Sequence, residues 1–469
     1  MNDAYKDYQK LESISSELIL NSLENIGNRI NTQIEGIPLV IYNPHSWPVS
    51  QFVNAEITFV KRTASFDVLD TEGKSVQFIV TEKSEDGLSC EVSIDARDIP
   101  PLGYKVLEVV EKEPDIEKTD LIAGDNVVEN NYYRISWDEK GISSLFSKKL
   151  NQEMLEDHGN TLQLLEDHGN SWSLVLTGEE FQAQTLTNPE IVYSSPIKTV
   201  VRWEDYYQSS RFVRYMTVKA DCEQIDFEME VDWHGHDQLL RLVFPTAVKQ
   251  GEAYYDQPYG YVKRSGTSIE SPGQKWIDYS NQAFGISLLN NGKYGFTMNN
   301  GVMTMSVVRG ARDMDPRMDE GKHTFKYALI AHSSGWRDAD IPLKAWQFNQ
   351  PLIAKQEIRH RGNISGWKYS ELSFPSEKSF FSINSDHVII SCLKVKQDAY
   401  NPYDIVIRIV ETEGEDEEVT VKLPYKPRSV IECDHLERPI ETNSIISTGE
   451  DQFTFNIQHD QIRTFLVSF

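Results

Sequence analysis

Trp276-Ile-Asp-Tyr-Ser280, Phe284-Gly-Ile-Ser-Leu-Leu-Asn-Asn-Gly-Lys-Tyr-Gly295, Val307-Val-Arg309, Asp319-Glu-Gly-Lys-His323 and Tyr327-Ala-Leu-Ile-Ala-His332 together decide the reading of the fold. They sit in a long region, from Asn130 to about Gln350, where aromatic and β-branched runs recur and helical periodicity is weak. Thr199–Trp203, Val213–Ala220, Ile225–Trp233 and Leu239–Phe244 are runs of this kind. Asp138-Glu-Lys-Gly141 is a hairpin signature, with glycine where positive φ is needed. A region this long without helices predicts a large antiparallel sandwich and not an alternating β–α fold.

Toward the N-terminus the period is also two. Leu39–Tyr42, Val53–Phe59, Phe66–Leu69, Val76–Val80, Cys90–Ile94 and Tyr104–Val110 predict a small immunoglobulin-like β-sandwich over residues 35–115. Glu111 to Lys118, acidic and proline-containing, reads as a linker into the large sandwich of 116–350. Val388–Val395, Ile405–Glu411, Glu418–Leu423 and Phe453–Ile457 continue as strands in a C-terminal region, 351–469. Residues 1–34 differ. Leu11, Ile14, Leu18, Ile19, Leu23, Ile26 and Ile30 recur every three or four positions, the stripe of one helix over Asp3–Ile30. That stripe needs a partner surface: either it docks on the β-domains or its neighbours are missing. The fold class is therefore mainly β, with one N-terminal helix.

The 469 residues carry 46 basic and 72 acidic side chains, a net charge of −26. Phosphate backbones need compensating Lys and Arg, so nucleic acid is excluded as a partner, and an anionic membrane surface is disfavoured. A neutral glycan remains compatible. Cys90, Cys222, Cys392 and Cys433 form no CxxC pair, and no run of about 18 apolar residues occurs. A cytoplasmic setting with reduced thiols is expected. The oligomeric state is open, a homo-oligomer included.

Few residues stand out for chemistry. Leu155-Glu-Asp-His-Gly-Asn-Thr161 recurs as Leu165-Glu-Asp-His-Gly-Asn-Ser171. His158, His168, Asp157 and Asp167 have ligand chemistry, but a duplicated surface loop is the favoured reading. His234-Gly-His236 would share one face of a strand, although no third ligand is evident. No Gly-x-Ser-x-Gly elbow marks a nucleophile.

The order and spacing of the opening motifs resemble the C-terminal β-domains of glycoside hydrolase family 38, the zinc-dependent α-mannosidases. Ile37 to Trp47 looks like the start of that family's first C-terminal β-domain, and Asn131 to Phe146 like the start of its large sandwich. Leu393-Lys394, Arg408 and Ile462-Arg-Thr-Phe465 resemble its closing strands. Departures exist: Gly310 stands for the family's Ser, Asp315-Pro316 inverts its Pro-Asp, and Ala331 replaces a Pro before His332.

The resemblance implies a small sandwich followed by a β-supersandwich. It also implies an accessory role: the C-terminal part of a retaining α-mannosidase-type glycosidase, supporting and partly lining its active site. In the family, zinc is bound by a His-x-Asp motif and further ligands on a catalytic barrel, and none of the eleven histidines here is followed two residues on by Asp. The nucleophile, the acid/base and the zinc are then expected on an N-terminal catalytic barrel outside this chain. Helix 1–34 would be the last helix of the family's helical bundle. Candidate contacts to a mannoside are Arg309, Asp315, Asp319 and His323, and Asp256, Tyr259 and Arg264 in a segment similar to the family's Gly-x-x-x-Arg. The competing readings are an interdomain salt-bridge network for the first group and ordinary strand packing for the second. For the whole chain the alternative is a stand-alone carbohydrate-binding β-protein.

Overall fold

The computed structural model describes residues 2–115, 118–311, 315, 317–362, 373–397, 401–441 and 444–469. The chain divides into two compact units, Met1–Ile116 with Pro351–Phe469, and Glu117–Gln350. The second unit is a continuous insertion within the first.

Unit 2 is built from two large antiparallel sheets. The nine-stranded sheet runs in the order Gln184–Ser194, Lys198–Tyr207, Ser210–Lys219, Ile225–Trp233, Gly321–Ser333, Phe284–Asn290, Trp276–Ser280, Glu252–Gln257, Gly260–Arg264. The six-stranded sheet runs Leu176–Phe181, Thr161–Asp167, Gln238–Pro245, Val302–Arg309, Gly295–Asn299, Thr267–Pro272. Ile225–Trp233 shows why the chain takes this form. Ile225, Phe227, Met229, Val231 and Trp233 are buried, and the four acidic residues between them face outward or lie half-buried. Strict alternation of this kind gives a strand one dry face. That face meets Leu240, Phe244 and Met305 of the other sheet in one core. Phe227 stacks on Tyr327 at 4.9 Å between ring centres.

The expected hairpin forms between Tyr133–Trp137 and Ile142–Ser147. Its glycine is required by close approach: a Cβ on Gly141 would sit 2.4 Å from the Gly159 carbonyl oxygen.

A second helix, α2 (Ile341–Asn349), was not expected from the sequence. Nine residues are too short to display a full apolar stripe, yet Pro342 suits a helix start. Ile341, Leu343 and Ala345 are buried. With Trp336 they cover Trp276, Leu289, Ala328 and Ile330 on the outer face of the nine-stranded sheet.

In unit 1, Ile37–Asn43 lies between Ile353–Gln356 and Gly103–Val110 in one sheet, and Val49–Thr58, Ser89–Ile99 and Phe78–Lys83 make another. Two four-stranded sheets follow from the C-terminal residues, packed around Phe453, Phe455, Phe465 and Ile407. The N-terminal helix, α1 (Asn2–Gly27), stops short of Ile30. Leu23 and Ile30 pack on Val40, Tyr42 and Tyr104, with Ile26 beside them. Leu11, Ile14, Leu18 and Ile19 are exposed, so the stripe is docked only at its C-terminal end.

Candidate functional site

Arg309 ends the strand Val302–Arg309 and points back across the sheet. Its Nε donates to Asp167 Oδ2 at 2.5 Å, and Nη2 donates to the Ser173 carbonyl at 2.6 Å. Asp167, fully buried at the end of Thr161–Asp167, also accepts the backbone N–H groups of Gly169 and Val175, each at 2.9 Å. Burial pushes the Asp167 carboxyl up, but the guanidinium and those two N–H groups outweigh it and hold it below the ordinary carboxylate range. The turn continues through Asn170, whose Oδ1 accepts N–H bonds from Trp172 and Ser173. The result is a rigid loop carrying Trp172, which is 85% exposed.

Backbone bonds tie this loop to two more. Asp167 N–H donates to the Asp237 carbonyl, and Asp237 N–H donates to the Gly310 carbonyl. The loops 167–175 and 234–237 and, third, the described residues of the loop between Gly310 and Glu320 therefore meet at one end of the sandwich. Three residues foreseen from the sequence lie on the third loop or beside it. Asp315, half-buried, accepts the Arg317 N–H at 3.0 Å. Asp319 is exposed with φ of 56°, and its carbonyl is 2.7 Å from His323 Nε2. Burial pulls the Lys293 ammonium down while the Asp319 carboxylate opposes it, so the turn after Asn290 joins the same cluster. Residues 312–314 and 316, and with them the Asp315-Pro316 motif, lie partly outside the described residues.

The remaining three candidates are elsewhere. Asp256, Tyr259 and Arg264 occupy the edge hairpin, separated from Gly321–Ser333 by two strands. At about 4.8 Å per strand that is roughly 14 Å. Asp256 is buried, accepts the Lys275 N–H at 2.7 Å, and lies 3.8 Å from Lys275 Nζ. Lys275 in turn lies over the Trp346 ring of α2 at 4.2 Å. Arg264 sits over Tyr255 at 5.4 Å, and Tyr259 projects from the turn with φ of 62°. The structure thus does not bring the two groups of candidates together.

His234-Gly-His236 is not on a strand, which corrects the expectation of a shared face. Ile225–Trp233 ends one residue earlier, Ser210 Oγ takes the His234 N–H, and the His234 ring lies between Asp232 and Glu320. The tandem repeat does not converge either. His158 meets Asp157 through Nδ1 at 2.8 Å and Asp138 through Nε2 at 2.7 Å, placing carboxylates on opposite ring edges. His168 instead pairs with Glu166. Among the described residues no group of three or more His, Cys, Asp or Glu side chains is arranged to hold a metal ion. The donor set does not fit the zinc site of the family resembled. Asp167, named in the repeat for its ligand chemistry, instead pairs with Arg309; nothing in sequence distinguishes an exposed Trp such as Trp172 from a core one.

Comparison with known proteins agrees with this architecture. The family model described as glycosyl hydrolases family 38 C-terminal domain matches residues 128–317, and that of the family 38 C-terminal beta sandwich domain matches 387–465. Human alpha-mannosidase 2C1 is 28% identical over 239 residues, covering 49% of this chain and 22% of the relative. Alpha-mannosidase G of Dictyostelium discoideum is 26% identical over 407 residues, covering 78% of this chain and 36% of the relative. The crystal structure of an alpha-mannosidase from Enterococcus faecalis V583 superposes with a TM-score of 0.81 at 15% identity, over 98% of this chain and 59% of that one. The chain thus spans about a quarter to a third of these curated relatives. Among the described residues no helix is long and apolar enough to cross a membrane.

Proposed function

We propose, from the match of residues 128–317 and 387–465 to models of the C-terminal domains of glycoside hydrolase family 38, that this chain carries those domains and acts as the accessory part of an α-mannosidase-type retaining glycosidase. Its loops 167–175 and 234–237, with the described residues between Gly310 and Glu320, then line the rim of a mannoside site whose nucleophile and zinc ligands are supplied by a catalytic barrel outside these residues. The observation that carries this reading is the Arg309–Asp167 lock, which fixes three loops at one end of a rigid sandwich.

The chemistry follows from which groups are occupied. Arg309 is engaged by Asp167 through Nε and by the Ser173 carbonyl through Nη2, so its role is to position the loops. Asp319, exposed, and Asp315, half-buried, present carboxylates that accept hydrogen bonds from sugar hydroxyls. His323 is oriented by the Asp319 carbonyl. Pre-positioned groups of this kind lower the ordering cost of binding. The reading extends to a cytoplasmic setting, supported by four free cysteines.

The test is to mix this chain with a separately made family 38 catalytic barrel and follow release from an aryl α-mannoside. The chain alone should give no turnover, and the mixture should restore it. Arg309→Ala should cut the restored rate roughly tenfold or more, the scale of a 1.4 kcal/mol loss. Turnover by the chain alone at the rate of a complete enzyme would overturn the proposal.

A further inference from the structure

We infer that unit 2 holds a second ligand site, for a neutral polyhydroxylated ring such as a hexose, at the opposite end of its nine-stranded sheet. The strand Gly321–Ser333 has 13 residues and runs from the loop cluster at its start to this cleft at its end. At about 3.3 Å per residue the two lie roughly 40 Å apart. The inference does not rest on the mannosidase reading.

The cleft has a volume of about 840 Å³, within the range of small-molecule sites. It opens between the segment leading into Glu252–Gln257, the turn 281–284 and the segment Ser334–Asp338. One wall is aromatic and pre-ordered. The Tyr254 ring lies 5.7 Å from Trp336, which packs on Tyr261 at 4.6 Å and Trp276 at 5.0 Å. The Arg337 guanidinium lies over Trp336 at 4.3 Å and over Tyr261 at 4.9 Å, and donates to the Tyr261 hydroxyl at 2.5 Å. Such a wall offers the half-buried Tyr254 ring to the C–H face of a sugar without losing further side-chain freedom.

The floor is polar. Ser280 lines the cleft and donates to Asp278 Oδ2 at 2.6 Å. Asp278 Oδ1 lies 2.7 Å from Ser287 Oγ and 2.9 Å from His332 Nε2. Asp278 and His332 are both more than nine-tenths buried, and His332 Nδ1 has no partner among the described residues. Close packing here requires Gly285, because a Cβ there would meet Ser280 Cβ at 2.4 Å and His332 Cε1 at 2.5 Å. The network does not have the geometry of a nucleophile relay. Asp278 and Ser287 both address Nε2, whereas a relay needs opposite ring nitrogens. Binding, not covalent chemistry, is what it supports.

Charge selects the ligand class. Lys249 and Arg337 on the rim are balanced by Glu252 and Asp338, so neither an anion nor a cation is favoured there. An overall charge of −26 adds a field against anions. A ring with two apolar faces and a girdle of hydroxyls satisfies the aromatic wall and the carboxylates together.

The experiment uses the full chain, titrated with methyl α-mannoside and methyl α-glucoside and read by tryptophan fluorescence and by saturation-transfer NMR, with glycerol as control. Saturable binding of a hexoside in the millimolar range is expected. Tyr254→Ala and, independently, the exposed-rim variant Asp338→Ala should each weaken it severalfold to tenfold while the circular dichroism stays unchanged. No saturable binding by either hexoside would overturn the inference. So would binding indifferent to both cleft variants, which would place the ligand outside this cleft.

Discussion

Burial pushes the Asp256 carboxyl up to about 6, with Lys275 opposing the shift. The sign of the resulting pH dependence follows. Between about pH 4, where an unfolded Asp ionises, and pH 6, the folded chain holds a proton that the unfolded chain has lost. Stability of unit 2 should therefore fall across that window and stay lower above it. A shift of about two pKa units corresponds to about 3 kcal/mol. Asp256→Asn keeps an acceptor for the Lys275 N–H and removes the charge. It should abolish the slope between pH 4 and 6 and raise the urea midpoint at pH 7; an unchanged slope would show that Asp256 is not the group responsible. Asp167 behaves oppositely. Its folded pKa is depressed, so its contribution is present above about pH 4 and is lost as pH falls through the folded value. Arg309→Ala leaves that buried carboxylate without its cation. A destabilisation of about 3 kcal/mol is expected by urea unfolding, toward the low end for a broken buried pair because Arg309 is partly exposed. Arg309→Lys should recover only part of it, since one ammonium cannot reach both Asp167 and Ser173.

At the scale of elements, α1 divides into two energetically different halves. Leu23 is buried, so Leu23→Ala should cost roughly 2–4 kcal/mol. Leu11, Ile14 and Leu18 make no such contact, and Leu11→Asp with Leu18→Asp should leave the unfolding midpoint of the isolated chain within error. The same double variant should prevent association with the proposed catalytic barrel if helices of that partner cover the stripe. Helices without tertiary support are marginal in water, so amide exchange should be fast from Ala4 to about Leu20 and slow only near Leu23. Protection along the whole helix would contradict this. The helix itself was legible, because 3.6-residue periodicity survives whether or not a face is covered. The mainly β character was legible for the same reason: Ile225–Trp233 announces its dry face by alternation alone. What periodicity does not encode is partner choice. Nothing local to Ile353–Gln356 shows that it pairs with Leu39–Tyr42. The short α2 escaped because its nine residues cover a sheet face that is itself apolar, which removes the contrast a stripe needs. In the loop cluster, the motif at Arg309 was visible, but its partner Asp167 lies 142 residues away in sequence.

At the scale of the molecule, the two units differ in how their chain is assembled, and this has a direct consequence for folding. Unit 2 is one continuous segment with its own core, drawn from both large sheets. Unit 1 is discontinuous. Its strand Ile37–Asn43 takes a neighbour from Ile353–Gln356, in the register Leu39 to Gln356 and Tyr42 to Ile353. Thr32, fully buried, donates through Oγ1 to the Ile358 carbonyl at 2.7 Å, and Ile30 bridges to Phe374. A fragment of residues 1–115 would therefore expose the edge of Ile37–Asn43 and strand Val40, Ile41 and Thr32 without their cover. Unpaired, apolar strand edges of this kind drive aggregation. Residues 118–350 produced alone should unfold cooperatively in urea, with a slope close to that expected for their share of the buried surface. Residues 1–115 produced alone should be insoluble or unstructured by circular dichroism, and co-expression with 351–469 should restore a soluble pair. A cooperative transition from 1–115 alone, at a midpoint like that of the whole chain, would show that the C-terminal strands are dispensable to the sheet they complete.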